Sequence, residues 1–479
     1  MRNQFLILLA LLTFFQSSRL SAQVPNTLSV DEKIYGLSRF WSEASYNFVY
    51  MYKIDQSVWN NSYKEAITNV QKTNNDYEYF RELQRLCAIL KDGHTQVYLP
   101  EEVQGQVMIT NFGEYRLSLT NVQGKVFVYD VNKSKHKEIP VGSEIVKVNG
   151  LSTQEYQRKF VDPYIAASTQ NALDTKSAYN LLAGLEGDNY RIELKTPAGE
   201  IRRFNLIHAK TIEEESASVP TGNRGIFEFK WLKNEIAYVA IRTFNDISVV
   251  SDFDSNLSEL NKAKSIIIDI RDNSGGSGKN ALNIAKYFVS GDTIYGARNY
   301  SREIIPTQRA IGSFLTAQDT IQGKSQWGIS KEEATNFYNA YLGSKFYTFE
   351  YKPTVAQTNI KFTVPTVILC NSNKASAAED FLIYLYNEKN IKRVGDYTNG
   401  STGQPLQIDL PGNTTAWICT KKVTLPNNEE FVGIGIKPHI LVKTNLSDVL
   451  YPLKYDSQLG KAVEYLKSKR KQDTVNKFN

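Results

Sequence analysis

Three hydrophobic patterns follow one another along the chain and divide it into regions. From about residue 30 to 90, apolar positions recur at three- and four-residue spacing, which predicts helices. From about 103 to 206, short alternating segments separated by glycine turns predict strands. Beyond about 225, buried strands alternate with helices, as in layered α/β domains. We therefore predict an α/β protein with a helical N-terminal region (23–102), a β-rich module (103–210) and an α/β core (225–470).

Within the core, two predicted strands lead directly into glycine- or serine-containing turns. Central strands are predicted at residues 236–241, 265–270 and 364–370, and the helices after two of them at 280–289 and 377–387. Residues 300–358 are rich in aromatic and polar side chains and show no strand rhythm. We expect this segment to be a lid or a substrate-facing insertion.

The first 22 residues have the parts of a secretory signal peptide. Arg2 provides the charged start, residues 5–15 the apolar core, and Ser21-Ala22 the small-residue end. The apolar core is too short to span a bilayer, and no later stretch reaches about 18 uninterrupted apolar residues. We expect an exported protein, periplasmic or extracellular, without a membrane span.

Composition and charge limit the classes of partner and ligand that we expect for this protein. With 479 residues and 41% hydrophobic content, the chain can bury substantial cores. The net charge of +6 is not concentrated in a basic stripe, so nothing favours nucleic acid as a partner. The histidines lie far apart and form no ligand pair, so we assign no metal; they are His94, His136, His208 and His439. The sequence does not predict an oligomeric state.

The three cysteines do not form a disulfide framework. Cys87, Cys370 and Cys419 each have apolar neighbours, which predicts buried thiols. One bridge, between Cys370 and Cys419, is the alternative.

Ser376 stands at a predicted strand-to-helix turn. A serine at such a turn can present its hydroxyl above the carboxyl edge of a sheet, beside the free N–H groups of the helix. That geometry suits a nucleophile. The alternative is that Ser376 only caps the helix, a common role of serine.

A glycine-rich loop, residues 271–278, follows another predicted central strand. Its glycines allow close backbone approach and can aim N–H groups at one anion. The loop lacks the Gly-Lys-Ser/Thr ending of nucleotide-binding loops, so an oxyanion hole fits better. We expect the N–H groups of Gly275 or Gly276 and of Ala377 to be the donors. Both loops follow strands of one sheet and should meet at its carboxyl edge.

A serine hydroxyl needs a base to remove its proton. His94 is one candidate, in a loop that begins after a predicted helix, with Gly93 expected to supply the left-handed residue that ends the helix. Lys374 is another candidate, but its place two residues before Ser376 suggests a solvent-facing side chain.

Residues 140–150 resemble a PDZ domain, whose members carry a glycine-polar-x-Ile strand followed by an Asn-Gly turn. A generic hairpin ending in Asn149-Gly150 is the alternative. A PDZ module would bind an extended peptide by strand addition and capture its terminal carboxylate. Residues 161–187 would then be an insertion or a helical excursion.

Four motifs occur in the order found in the tail-specific, or C-terminal-processing, serine peptidases, related to tricorn peptidase and the interphotoreceptor retinoid-binding protein. They are Asp92-Gly93-His94-Thr95, residues 269–276, residues 374–379 and residues 433–438. The resemblance spans about residues 83–442. It implies a crotonase-like α/β peptidase core, a PDZ module, Ser376 as nucleophile and no cofactor.

Members of this family differ in the residue that acts as the catalytic base. In dyad members a lysine follows a Gly-x-x-Thr-x-Gly turn, but here the matching turn, residues 395–400, is followed by Ser401. The tricorn-like branch instead uses a histidine, which matches His94. Its orienting acid corresponds most nearly to Glu430 or Glu429, with Glu379 as another candidate whose alternative role is helix-end capping.

Two further parts of the sequence depart from the family pattern. His439 replaces the family's usual aspartate, and we expect it to be structural. Residues 401–404 stand where the dyad group would be and are expected to line the pocket.

Together these features favour an exported serine peptidase that hydrolyses protein or peptide substrates, with recognition through their C-termini as a further expectation. The alternative is an inactive relative that binds peptides or an apolar ligand. A crotonase-like acyl-thioester enzyme is a third hypothesis, but it leaves the signal peptide and the PDZ-like module unexplained.

Overall fold

The structure is a computed structural model and describes residues 24, 26–213, 215–218, 224–372 and 375–478. The predicted signal peptide and Lys374 lie outside the described residues. The first region contains α1 Val30–Asn47, α2 Gln56–Val70, α3 Asp76–Ala88, β1 Gln96–Val97 and α4 Glu101–Gln104. Its long helices begin at polar caps, for example Ser29, which forms a capping box with Glu32. The predicted helical region is therefore observed.

The β-rich region is a mostly antiparallel sheet with strand order β2-β3-β4-β5-β7-β8. Its elements are β2 Asn111–Phe112, β3 Tyr115–Val122, β4 Lys125–Val131, β5 Glu144–Val148, β6 Leu151–Ser152, α5 Thr153–Tyr156, α6 Gln170–Tyr179, β7 Asn189–Lys195 and β8 Ile201–Ile207. Asn149 and Gly150 both have positive φ, 49° and 85°, and join β5 to β6 in a tight hairpin. Helix α6 lies in the segment for which a helical excursion was expected.

The core region holds the remaining elements. Its strands are β9 Phe227–Leu232, β10 Ile236–Ile241, β11 Ser265–Asp269, β12 Thr293–Ile294, β13 Arg298–Arg302, β14 Phe346–Thr348, β15 Thr354–Val355, β16 Thr366–Cys370, β17 Ile391–Gly395, β18 Pro405–Leu410, β19 Thr414–Cys419, β20 Lys421–Thr424 and β21 Ile440–Leu441. Its helices are α7 Ser248–Ser255, α8 Leu257–Leu260, α9 Gly278–Ala285, α10 Pro306–Gly312, α11 Asp319–Gln322, α12 Lys331–Leu342, α13 Ala377–Tyr384, α14 Leu446–Leu450 and α15 Ser457–Phe478.

The central sheet has the order β21-β17-β16-β11-β10-β9, parallel except at the β9 edge. Every residue of β10, β11 and β16 is buried, as expected for strands covered on both faces. Helices α9 and α13 cover one face, and Ala462 and Leu466 of α15 pack on the other. Because β11 and β16 are parallel neighbours, the loops that follow them emerge side by side.

The helical region joins the core through backbone pairing. Strand β1 pairs antiparallel with β19, matching Gln96 with Trp417 and Val97 with Ala416. Strands β18 and β19 also share a hydrophobic core with α1, α2 and α3. This pairing fixes the loop that contains His94 against the core.

The aromatic segment 300–358 contains helices rather than irregular chain. Helices α10 and α12 pack together, while β13 pairs with β14 and β20 and thereby attaches the segment to the core. Within the described residues, none of the helices combines the length and the hydrophobicity of a membrane-spanning segment.

Candidate active site

Ser376 occupies the turn between β16 and α13 with an unusual backbone conformation, φ 57° and ψ −130°. A non-glycine residue in such a region is strained, which is characteristic of functional turns. Ser376 holds the N-cap position, but its side chain makes no capping hydrogen bond, so the capping interpretation is wrong. The residue is half-buried, and its hydroxyl bonds to none of the described residues. It is therefore available for chemistry.

The glycine-rich loop after β11 contacts the serine turn. Gly275 has φ +113°, and a β-carbon there would come 2.9 Å from Ser376 Cβ and 3.3 Å from the nitrogen of Ala377. Gly276 has φ +130°, and a β-carbon there would come 2.3 Å from the nitrogen of Asn245 and 2.5 Å from the carbonyl carbon of Phe244. Both positions require glycine, for conformation and for space.

The two glycines differ as oxyanion donors. The N–H of Gly275 donates to Oδ1 of Asn273, at 2.9 Å, within its own loop. The N–H groups of Gly276 and Ala377 donate to no acceptor among the described residues. Ala377 is the first residue of α13, where N–H groups lack helical partners. Gly276 and Ala377 are thus the better donor pair.

His94 is hydrogen-bonded to Ser401 and not to Ser376. Its Nδ1 lies 2.6 Å from the hydroxyl of Ser401. No hydrogen bond between His94 and Ser376 occurs within the described part of the chain, but the N–H of Ser376 donates to the carbonyl of Ser401 at 2.9 Å. Ser401 therefore contacts both residues that the sequence predicts as base and nucleophile.

Gly93 has a different role from the one predicted. Its φ is not positive; the left-handed residue after α3 is Lys91, with φ 50°. The expectation for Gly93 is therefore wrong. A β-carbon on Gly93 would come 2.6 Å from the Ser401 hydroxyl, so glycine is needed there for the close approach of Ser401.

The surroundings of His94 favour its neutral form. Burial lowers the pKa of His94, the nearby carboxylate of Asp92 raises it, and the positive charges of Lys421 and Lys176 lower it further. Asp92 is itself buried, which raises its pKa, and it accepts a hydrogen bond from Thr95 Oγ1 at 2.7 Å. A neutral imidazole can accept a proton at neutral pH.

Glu379 and Glu430, two of the predicted orienting acids, form no hydrogen bond with the imidazole. Glu379 is fully buried, and it accepts hydrogen bonds from the hydroxyl of Thr398 and from the N–H groups of Gly400, at 2.8 Å, and Ser401, at 3.1 Å. Burial raises the pKa of Glu379 to about 8, although these three donors favour the carboxylate. Glu379 thus clamps the loop that carries Ser401.

Glu430 lies in a different cluster. It forms ion pairs with Lys53, at 2.7 Å, and with Lys422, at 2.5 Å. These bonds join the first region to the core and leave the carboxylate engaged away from His94.

The sequence predicted that Ser401 lines the pocket but did not predict its bond to His94. The absence of the dyad lysine at that position was the available signal.

The fourth motif, residues 433–438, forms hydrogen bonds with the loop that carries Ser401. Thr398 Oγ1 accepts the N–H of Ile436 at 2.7 Å, and the carbonyl of Gly400 accepts the N–H of Gly433 at 2.8 Å. His439 Nδ1 accepts the N–H of Arg393 at 2.9 Å, and burial lowers the pKa of His439 to about 4. This histidine contacts the backbone of β17, in keeping with a structural role.

The cysteines are free, buried thiols, and Cys370 and Cys419 are not bridged. Burial raises the pKa of Cys370 to about 12, which leaves it protonated and unreactive. Within the described residues, no group of three or more histidine, cysteine, aspartate or glutamate side chains could hold a metal ion.

Comparisons with known proteins bear on the family and the fold. Residues 235–442 match the model of Peptidase family S41. Mature CPAF complexed with lactacystin shares 14% sequence identity, with 93% of this chain and 98% of that chain covered and a TM-score of 0.63. Mature CPAF itself shares 13%, with 91% and 96% covered and a TM-score of 0.62.

A presumed peptidase from Parabacteroides merdae ATCC 43184 shares 17% identity, with 92% of this chain and 97% of that chain covered and a TM-score of 0.50. At these identities the likenesses show a common fold. No curated protein matches the chain. The family match, which covers β10 to β21 and both loops at the serine turn, identifies the chain as carrying a serine peptidase domain of family S41, the tail-specific peptidases.

Proposed function

We propose that this protein is a serine endopeptidase or carboxy-terminal processing peptidase in which Ser376 is the nucleophile and His94 the base. The observation that carries the proposal is the strained, uncapped Ser376 in contact with Gly275, one hydrogen bond away from the loop that binds His94. A half-buried hydroxyl without a structural partner is what nucleophilic catalysis needs.

In the proposed reaction, the hydroxyl oxygen of Ser376 attacks a peptide carbonyl carbon and transfers its proton to Nε2 of His94. The carbonyl oxygen becomes negative and is stabilised by the N–H groups of Gly276 and Ala377. His94 then gives the proton to the leaving amine, and water hydrolyses the acyl-enzyme by the same route. Substrate binding would bring Nε2 and the hydroxyl together, since catalytic hydrogen bonds often tighten only in the complex.

The β-rich region is proposed to present peptides to this site as a PDZ-like module. It contacts the His94 loop through Ser168, whose hydroxyl accepts the N–H of Gly93 at 2.8 Å and lies 3.4 Å from Oδ1 of Asp92. Recognition of substrate C-termini would follow from the peptide-binding mode of such modules. Export to the periplasm or the extracellular space is proposed from residues 1–22.

Peptide binding without cleavage is the second candidate, because no hydrogen bond joins Ser376 to His94 in the described residues. The two functions differ in covalent reactivity. A fluorophosphonate probe should label the purified mature protein at Ser376, and neither Ser376→Ala nor His94→Ala should be labelled at a comparable rate. An unlabelled wild type with normal circular dichroism would favour the binding protein.

A further inference from the structure

The imidazole of His94 has an unexpected partner. Peptidases that use histidine as base require a group on its second nitrogen to fix the ring and its tautomer. The carboxylates of Glu379 and Glu430 are engaged elsewhere, and Asp92 interacts with the backbone N–H of His94. The hydroxyl of Ser401, 2.6 Å from Nδ1, is the hydrogen-bond partner of the ring within the described residues.

We propose that Ser401 is the positioning residue of the active site and that its hydroxyl takes the place of the orienting carboxylate by accepting the Nδ1–H of His94. This inference rests on the proposed peptidase function. Ser401 stands at the position of the missing dyad lysine, and its hydroxyl bonds the ring nitrogen that neither Glu379 nor Glu430 bonds.

Ser401 is held rigidly enough for this role. It is 2% exposed, its N–H donates to Glu379 Oε2 at 3.1 Å, and its carbonyl accepts the N–H of Ser376 at 2.9 Å. One residue thus binds the base through its side chain and the nucleophile through its main chain. Ser401 consequently links the base and the nucleophile directly through one buried residue.

The direction of the hydrogen bond decides whether His94 can act. If Nδ1–H donates to Ser401, the lone pair is on Nε2, and that nitrogen can accept the proton of Ser376. If Ser401 donated instead, the proton of neutral His94 would be on Nε2 and the ring could not serve as base. The proposal therefore requires the Nδ1–H tautomer.

Ser401 cannot itself be the nucleophile, although it is the serine at hydrogen-bond distance from His94. Its side chain is buried, whereas Ser376 is half-buried at a strand-to-helix turn and is followed by Ala377, whose N–H has no acceptor among the described residues. A hydroxyl also lacks the charge that would stabilise the imidazolium. The buried Asp92, in its ionised form, favours the protonated form of His94 electrostatically.

The first test measures the labelling rate of Ser376 by a fluorophosphonate in wild type, Ser401→Ala and Thr402→Ala. Thr402 is the matched control because it is the next residue, is 3% exposed and forms no hydrogen bond with His94. We expect Ser401→Ala to label about 10–100-fold more slowly, by analogy with the loss of the second-nitrogen partner of a metal-bound histidine. Equal rates for Ser401→Ala and wild type, or equal slowing in Thr402→Ala, would overturn the proposal.

The second test does not depend on catalysis. In ¹⁵N-histidine-labelled Ser376→Ala protein, the chemical shifts of the His94 ring report its tautomer, and with four histidines in the chain His94→Ala assigns them. We expect Nδ1–H in the parent and a mixed or Nε2–H population after Ser401→Ala. An unchanged tautomer contradicts the positioning role, whereas an unlabelled wild type in the first test with the expected tautomer in the second contradicts only the proposed peptidase function.

Discussion

Gly275 packs directly against Ser376: a β-carbon on the glycine would lie 2.9 Å from the β-carbon of the serine. The contact joins two loops that are about a hundred residues apart in sequence but follow the neighbouring strands β11 and β16. It brings the glycine-rich loop to the side of Ser376 where an oxyanion would form.

Replacing Gly275 should disable the site. Gly275→Ala introduces a side chain at φ +113° and pushes on Ser376 and the carbonyl of Ala375. We expect loss of Ser376 labelling and a fall in the free energy of unfolding of about 1–3 kcal/mol from backbone strain. Gly291→Ala is the control, since a β-carbon there meets nothing within 4 Å and φ is not positive. Normal labelling of Gly275→Ala would argue against the proposed oxyanion site.

The strained backbone at Ser376 should lower the free energy of unfolding of the protein. Ser376→Gly relieves the positive φ that Ser376→Ala retains, so urea denaturation should find the glycine variant more stable than the alanine variant by about 1 kcal/mol. Both variants should be unlabelled by the fluorophosphonate. Equal stabilities would mean that the turn is not strained.

The pH dependence of labelling should report the charges around His94. Because its pKa is lowered by burial and by nearby lysines, the acid limb of the labelling rate should lie below pH 6.5. Removing the positive charge in Lys421→Gln makes the imidazolium easier to form, which raises the pKa of His94 and moves the limb to higher pH.

Lys422→Gln is the control for that shift, because Lys422 is the next residue on β20 but pairs with Glu430. It should leave the limb in place. A limb that moves to lower pH in Lys421→Gln, or moves equally in both variants, would contradict the electrostatic origin.

Glu379 should matter for stability and Glu430 much less. Above about pH 8, where the carboxyl of Glu379 is ionised, Glu379→Gln puts an amide NH₂ among three donors. It should there lower the free energy of unfolding by about 1–3 kcal/mol and slow labelling by loosening the Ser401 loop. Glu430→Gln removes partly exposed ion pairs and should change stability by at most about 1 kcal/mol without altering labelling.

The raised pKa of Glu379 predicts the direction in which stability changes with pH. The folded state binds this proton more tightly than the unfolded state, so its contribution to stability declines as the pH rises from about 4.5 to about 8. That part of the pH dependence should be absent from unfolding curves of Glu379→Gln. An identical pH dependence in both proteins would place the ionisation elsewhere.

Much of the fold follows from local pattern. The continuous apolar runs that predict strands at 236–241, 265–270 and 364–370 correspond to β10, β11 and β16, because strands buried on both faces need such runs. The segment 300–358 was harder to predict, since α10 and α11 are short and all three of its helices, α10, α11 and α12, carry many exposed side chains, so their hydrophobic periodicity is weak. The left-handed residue after α3 was assigned to Gly93 by composition, whereas Lys91 adopts that conformation and glycine serves close packing.

The sequence by itself determined the α/β character, the serine at a strand-to-helix turn and the glycine loop, because each depends on residues adjacent in the chain. Only the tertiary structure decided which groups meet. The bond between His94 and Ser401 joins residues 307 positions apart, and it depends on the pairing of β1 with β19 and on the Glu379 clamp. A side chain's partner across such a separation is set by the packing of whole elements, and no local pattern encodes it.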